Sequence, residues 1–325
     1  MGVKVNPSGR LPSVAFLWIS LLFATTASAA LGERAGVTGS LALELNGSPV
    51  GYIRSADGGD VRADVITDAM GAFPKKHLGA AKVADLRLEL GPDMDKAVYD
   101  WVAASWSGKY SRSSGALLSV NFDSNVMARR EFSNASLVET SIPDLDASSK
   151  DAGYLTVTLR PEMVRVSKGA GMVSPSLGGR ARPWVVSNFR VEIPGLDCSK
   201  VKKVGGFTVK TDSDRAIVFP NIVLTFPESS ADSWIEWHKS FVVDGLNGDG
   251  SEKNGAIVFL AGDMGTEIGR VALSNIGISS LRFDNPEGAS NMIRTVTAEL
   301  YCESMTFTWT GGSGGNVLNT RILIR

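Results

Sequence analysis

The sequence predicts a mainly β protein made of two tandem domains, each a β-barrel or sandwich with one packed α-helix. Short segments of alternating apolar and polar residues recur between turn signals, which is typical of all-β architecture. One segment in each half instead has apolar residues spaced three and four apart, as on one face of a helix. A repeat of domain length is also present, which indicates a duplication. Its matched segments, at one constant offset, are 86–90 with 222–226 and 98–101 with 234–237.

Composition limits the classes of function. With 325 residues the chain is long enough for two domains, and its 43% hydrophobic and 21% charged residues are those of a folded soluble protein. The net charge of −1 gives no reason to expect nucleic acid as a partner. His77 and His238 have no nucleophile motif near them, and the two cysteines add no zinc pattern. The sequence therefore predicts no catalytic, cofactor or metal site and no enzyme, although a carboxylate-only hydrolase stays open among 34 acidic residues.

The N-terminus predicts export. Lys4 and Arg10 precede an apolar run over residues 14–24, and Ala27-Ser28-Ala29 offers a small-residue cleavage site. This is the layout of a Sec signal peptide over residues 1–29. The predicted location is periplasmic or extracellular, with no stable membrane span after cleavage. A buried N-terminal helix and an uncleaved anchor are the alternatives.

A short lead-in, residues 30–38, precedes the first predicted domain, residues 39–166. Its strands follow from alternating patterns and from the Asn46-Gly47 hairpin signal. A polar loop is expected over residues 67–79, and a helix over residues 93–106 with Asp93 as its N-cap. The predicted strands are 41–45, 50–53, 61–66, 83–90, 117–123, 129–132 and 155–160.

A Gly- and Pro-rich linker, residues 167–183, leads to the second predicted domain, residues 184–310. There Ser229 or Ser230 is expected to cap a helix over residues 231–242. The predicted strands are 189–193, 206–211, 216–226, 257–260, 268–273 and 295–307.

The end of the chain is a Gly/Ser-rich hinge and C-terminal tail, residues 311–325. Its last apolar segment either adds to a neighbouring sheet edge or frays. Cys198 and Cys302 are a candidate disulfide in an oxidising compartment. Two unpaired, buried thiols are the alternative, because spacing in sequence does not set the distance between the two Cα atoms.

Several short segments, in order, resemble a known family. The segment Phe-Arg-Val-Glu-Ile-Pro-Gly-Leu, residues 189–196, resembles the opening strand of the T4-like phage tail tube family. The tryptophan-bearing helix at residues 233–237 is similar to the helix of that family. Residues 145–152, followed by the strand at 155–159, look like its closing element. The resemblance covers both predicted domains, so the chain looks like two tandem tail-tube-like domains.

This resemblance implies a β-barrel with one flanking helix, and domains that form hexameric rings stacked into tubes, as in phage tails and type VI secretion needles. A chain with two such domains would form a trimer as a pseudo-hexamer, or a larger stack. The expected function is therefore that of an exported structural protein whose partner is itself, with other envelope or tube components as further partners. A monomeric exported binding module for an envelope glycan or protein is the alternative.

Two loops at equivalent places in the repeats, residues 144–153 and 285–290, are the candidates for contact between subunits. They are chosen by the resemblance and not by any chemical motif. The candidate contact residues are Asp144, Asp146, Lys150, Asp284, Asn285 and Glu287.

Overall fold

The computed structural model describes residues 2, 39–69, 73–174, 184–211, 216–284 and 293–310. The lead-in, the predicted signal peptide apart from Gly2, the linker from residue 175 and the C-terminal tail lie outside the described residues and stay predictions. The chain divides after Gly36 into two units, each with most of its contacts within itself, and Val37–Arg325 is one compact unit. No helix within the described residues combines the length and the hydropathy that a membrane crossing requires.

The N-terminal part, residues 40–168, is mostly strand with one helix. Its elements are β1 (Ser40–Leu45), β2 (Ser48–Gly58), β3 (Val61–Asp68), β4 (Lys75–Val83), β5 (Leu86–Leu90), α1 (Lys96–Trp106), β6 (Ser113–Val120), β7 (Val126–Ile142), β8 (Leu145–Asp146), β9 (Ala152–Gly153), β10 (Leu155–Arg160) and β11 (Met163–Lys168).

The C-terminal part, residues 184–310, follows a similar order. Its elements are β12 (Trp184–Val185), β13 (Phe189–Glu192), β14 (Lys203–Val204), β15 (Phe207–Thr211), β16 (Ile217–Val218), β17 (Ile222–Pro227), α2 (Asp232–His238), β18 (Lys253–Leu260), β19 (Glu267–Asp284) and β20 (Thr295–Trp309). A π-helical turn, Lys239–Val243, continues α2.

The N-terminal part closes into a six-stranded barrel. Strands β10, β5, β2, β1, β6 and β7 are hydrogen-bonded in that order, and a further pairing of β10 with β7 closes the circle. Alternate side chains fill the inside, as the pleat of a strand dictates. Leu43, Leu88, Phe132 and Leu159 are each at most 2% exposed and belong to one continuous core. The predicted mainly β fold class, with a helix packed on the barrel, is confirmed.

The C-terminal part forms a second antiparallel sheet in the order β13-β18-β19-β20-β17-β14-β8. The long strands β19 and β20 pair along almost their whole length, from Gly269 with Trp309 to Asp284 with Thr295. Strand β8 comes from the N-terminal part of the chain, whereas β15 of the C-terminal part joins the N-terminal sheet. The two parts thus exchange strands, and the predicted domain boundary at the linker stays a prediction.

Three local expectations were wrong. The region predicted as a polar loop contains the first five residues of β4, which pairs with β3 in a separate two-stranded sheet. Most of its side chains are exposed, so it lacks the apolar alternation of a half-buried strand. Helix α1 begins at Lys96 with Asp95 as N-cap, since Asp95 Oδ1 accepts from Ala97 N at 2.8 Å, and not with Asp93. Helix α2 begins at Asp232 without a side-chain cap from either predicted serine.

A buried ion pair ties three strands of the barrel together. Glu44 on β1 is 7% exposed, and Arg129 on β7 reaches it across β6 with hydrogen bonds of 2.8 and 2.5 Å. The hydrogen bonds that Arg129 donates to Glu44, and then those to Glu131, raise the pKa of Arg129 above its usual range. A similar pair joins Glu192 on β13 to Arg270 on β19 across β18 at 3.2 Å, but Glu192 is more exposed.

Replacing Arg129 with methionine is expected to destabilise the barrel by about 2 kcal/mol, because Glu44 would stay buried without its partner. The matched change Arg270→Met should cost less than about 1 kcal/mol, since water can solvate Glu192. Urea unfolding at neutral pH measures both free energies. Equal losses for the two variants would contradict the role assigned to the burial of Glu44.

Candidate assembly interface

The two parts of the chain are joined by pairing of sheet edges. Strand β15 lies antiparallel to the last residues of β7, with Phe207 opposite Ile142 and Lys210 opposite Glu139. Two shorter pairs, β8 with β14 and β9 with β12, make the same connection nearby. A free strand edge presents unpaired N–H and C=O groups, and adding a strand satisfies them. The backbone itself therefore supplies a directional joint between the parts.

Side chains reinforce the β7–β15 joint. Ile142 and Phe207 are 4% and 6% exposed. The hydroxyls of Ser141 and Thr208 are 2.8 Å apart, and Lys210 Nζ lies 3.0 Å from Glu139 Oε1. The apolar pair removes surface from water, while the polar pairs favour one register.

Gly153 fits the neighbouring β9–β12 pair for a steric reason. A Cβ atom at this position would overlap the ring of Trp184, the residue opposite it. The missing side chain lets the indole lie directly on the β9 backbone. The ring then meets Phe259 edge to face, with centroids 5.0 Å apart.

Helix α1 is the second joint, because it contacts β20 of the C-terminal part. The Tyr99 ring stacks on Trp309 at a centroid distance of 5.4 Å, and Trp106 lies 5.4 Å from Phe307. Trp309 Nε1 donates to the carbonyl of Pro92 at 3.1 Å. Such aromatic pairs add directional attraction to the burial of large apolar surfaces.

The Tyr99 hydroxyl both donates and accepts a hydrogen bond. It donates to the carbonyl of Gly91 at 2.8 Å and accepts from Met94 N at 3.2 Å. Tyr99 is 3% exposed, and its burial raises the pKa of the hydroxyl well above its ordinary value of 10.0. The interface therefore requires the neutral phenol.

The predicted contact residues lie partly at this joint. Asp144 accepts from Gly206 N at 2.6 Å, so it binds the C-terminal part of its own chain. The side chain of Asp146 accepts from Ser148, which lowers the pKa of Asp146. Lys150 is exposed.

Asp284, the remaining predicted contact in the described residues, lies at the end of β19. Its Oδ2 accepts from the hydroxyls of Thr295 and Thr297 at 3.0 and 3.2 Å. Asn285 and Glu287 lie outside the described residues. The role of all six residues between subunits stays a prediction.

The two cysteines lie apart from these contacts and are free thiols in the structure. Cys302 Sγ on β20 donates to the carbonyl of Ser274 at 3.3 Å. Burial raises the pKa of the Cys198 thiol to about 11. Pairing of the two cysteines in a disulfide stays a prediction.

Within the described ranges, no group of three His, Cys, Asp or Glu side chains is placed to hold a metal ion.

The aromatic contacts between α1 and β20 were not predicted from the sequence. The predicted helix face included Val98, Trp101 and Val102, which pack on the barrel. Tyr99 and Trp106, seven residues apart, extend this apolar face to one side, and their rings meet Trp309 and Phe307 of β20. An apolar face broader than one packing partner needs indicates a second partner, and the breadth of this face was present in the sequence.

The N-terminal part is thus a closed barrel with one flanking helix, and both its strand β7 and this helix contact strands of the C-terminal part. Residues 41–165 match the family model described as T4-like virus tail tube protein gp19. The match spans the closed barrel and α1. This part of the chain is therefore a tail-tube-like domain, as the resemblance implied. No curated protein matches the chain.

Several solved structures are similar to the chain. The anti-feeding prophage cap, a tube-terminating cap, is 23% identical with a TM-score of 0.39, over 45% of this chain and 99% of that one. A protein of the PVC sheath-tube complex, an extracellular contractile injection system, is 18% identical with a TM-score of 0.37, over 42% and 94%. Hcp1 from Flavobacterium johnsoniae is 16% identical with a TM-score of 0.29, over 41% and 99%.

The buried phenol predicts a pH dependence. Because the folded pKa of Tyr99 lies above 10.0, its contribution to stability is complete below pH 10 and is lost as the pH rises through the folded value. Tyr99→Phe should lower the free energy of unfolding at neutral pH by about 1–2 kcal/mol, because Met94 N and Gly91 O lose a partner.

The variant should also lose stability less steeply than the parent above pH 10. Urea unfolding between about pH 8 and pH 11 measures this slope. Tyr110→Phe, at a more exposed tyrosine, is the control and should keep the parental slope. Identical slopes for the parent and Tyr99→Phe would contradict the assignment.

Proposed function

We propose that the protein is an exported, non-enzymatic structural component that assembles with itself into rings or stacked tubes. The observation that carries this proposal is the joint between the two parts, where β15 extends the β7 edge and α1 covers β20. The chain thus already contains one barrel-to-neighbour contact made from a strand edge and a helix face. The family match of residues 41–165 to a tail tube protein supports the same reading.

The two parts are proposed to be duplicated domains. Asn134 and Asn275 both have positive φ, 49° and 53°, and lie in the long strands β7 and β19. Each donates its side-chain amide to a glutamate 28 residues later, Asn134 to Glu162 at 3.0 Å and Asn275 to Glu303 at 2.6 Å. A repeated local geometry at a repeated spacing supports a common origin better than composition does.

Two tube-type domains per chain make a trimer the simplest ring, because three chains supply six barrel positions. Closed cyclic symmetry is the usual form of such assemblies. The N-terminal signal supports export to the periplasm or beyond. Other envelope or tube components are the further partners we propose.

Light scattering after size exclusion, with negative-stain images of the same peak, tests self-assembly. The mature chain, residues 30–325, is expected to elute as trimers, hexamers or larger rings and tubes. A monomer across a wide concentration range would overturn the proposal. The binding-module alternative would then direct attention to the open groove of about 710 Å³ beside α1, lined by Asp95, Trp101 and Arg112.

A further inference from the structure

The two helices differ in what covers them. Both follow the matching strands β5 and β17, and the central tryptophan of each, Trp101 and Trp237, is 8% exposed. Counted from these tryptophans, Tyr99 corresponds to Ile235, and each lies two residues earlier. Tyr99 is covered by β20 and is 3% exposed, whereas Ile235 is 39% exposed.

The next turn of the helices repeats this contrast. Trp106 and Val242 each lie five residues after the central tryptophan. Trp106 meets Phe307 of β20 and is 3% exposed, whereas Val242 is 42% exposed. The apolar stripe that binds a neighbour on α1 is therefore present but uncovered on α2 and its π-helical continuation.

The strand edges show the same difference. The register of β7 against β10 skips Val138, and that of β19 against β20 skips Ser279. Ile142 lies four residues past the first bulge and is covered by Phe207 of β15. Phe283 lies four residues past the second and is 43% exposed. Among the described residues, no strand pairs with β19 beyond Ile276 on its β18 side.

The covering elements also have exposed counterparts in the N-terminal part. The hairpin β3–β4 corresponds to the hairpin β15–β16, because the first precedes β5 and the second precedes the matching strand β17. Strand β3 carries Val61 and Val65, which are 51% and 61% exposed. The repeated Asn–Glu pairs align Glu162 with Glu303. Val166 on β11, four residues after Glu162, is therefore the counterpart of Phe307, four residues after Glu303. Val166 is 73% exposed.

We propose that the α2–β19 face, formed by Ile235, Val242 and Phe283, binds the β3–β11 face, formed by Val61, Val65 and Val166, of a second copy of this chain. The contact repeats between copies the joint that β15 and β20 make with β7 and α1 within one copy. This inference rests on the proposed self-assembly and names its surfaces.

The two faces are different surfaces, one on each part of the chain, so the contact is head to tail. Such a contact propagates from copy to copy until the rotation closes a ring. Each copy then uses both faces, and neither strand edge is left bare. Loss of one face on every copy should therefore abolish the contact completely.

The test uses one charge on each face of the mature chain. Phe283→Glu breaks the α2–β19 face and Val166→Glu breaks the β3–β11 face, and both positions are exposed in the single copy, so folding is retained. Each variant alone is expected to be a monomer, with at least tenfold weaker association than the parent. Phe122→Glu, at an exposed position on neither face, is the control and should assemble like the parent.

A mixture of the two variants distinguishes this contact from others. The intact α2–β19 face of Val166→Glu should bind the intact β3–β11 face of Phe283→Glu, giving a complex of two chains and nothing larger. Light scattering of the mixture measures its mass, and circular dichroism of each variant checks the fold.

The outcomes separate the two proposals. Variants that assemble like the parent, or a mixture that stays monomeric although the parent assembles, would overturn the assigned faces and leave self-assembly standing. A parent that is itself monomeric at every concentration would overturn both.

Discussion

Strand β7 is the element on which the rest of the structure depends. Its first residues pair with β6 and β11, and its last residues pair with β10 and β15. One strand therefore closes the barrel and extends it towards the C-terminal part. The left-handed residue Asn134 and the bulge at Val138 lie where the partners change. Such irregularities increase the local twist of a strand, and this lets one backbone follow two sets of neighbours.

Helix α1 makes that strand pairing specific. Hydrogen bonds along a strand edge are similar for any sequence, so they define direction better than they define the partner. The contacts of Tyr99 and Trp106 with β20 depend on ring shape and on the hydroxyl of Tyr99, which needs two backbone partners. A helix on a barrel is thus both a cover for its own core and a surface that recognises the next sheet.

The parts of the fold that were predictable are those with a local physical signal. Asn46 and Gly47 have φ of 50° and 82°, as the two-residue hairpin turn requires, and the strands β1 and β2 lie on either side. The helices were found because Trp101 and Trp237 lie on apolar stripes with helical spacing. Strand β4 was missed because an exposed hairpin has no buried face, so its sequence carries no alternation.

The joint could not be predicted in the same way. The pairing of Ile142 with Phe207 depends on which distant edges meet, and neither residue carries that information in its neighbours. The broad apolar face of α1 is present in the sequence, but the identity of its second partner is not. The stacking of Tyr99 on Trp309 depends on how both parts fold and pair, not on the residues next to either ring.

The exchange of strands also determines the order in which the chain can mature. Residues 139–142 at the barrel edge are synthesised well before residues 207–210, which cover them, so the edge stays unpaired while the intervening chain is made. During that interval β15 of another chain competes for the same edge, and its capture would give a strand-swapped dimer. Contacts distant in sequence also form slowly. Correct folding therefore depends on how fast each chain completes its own joint, and crowding of newly made copies favours strand exchange between chains.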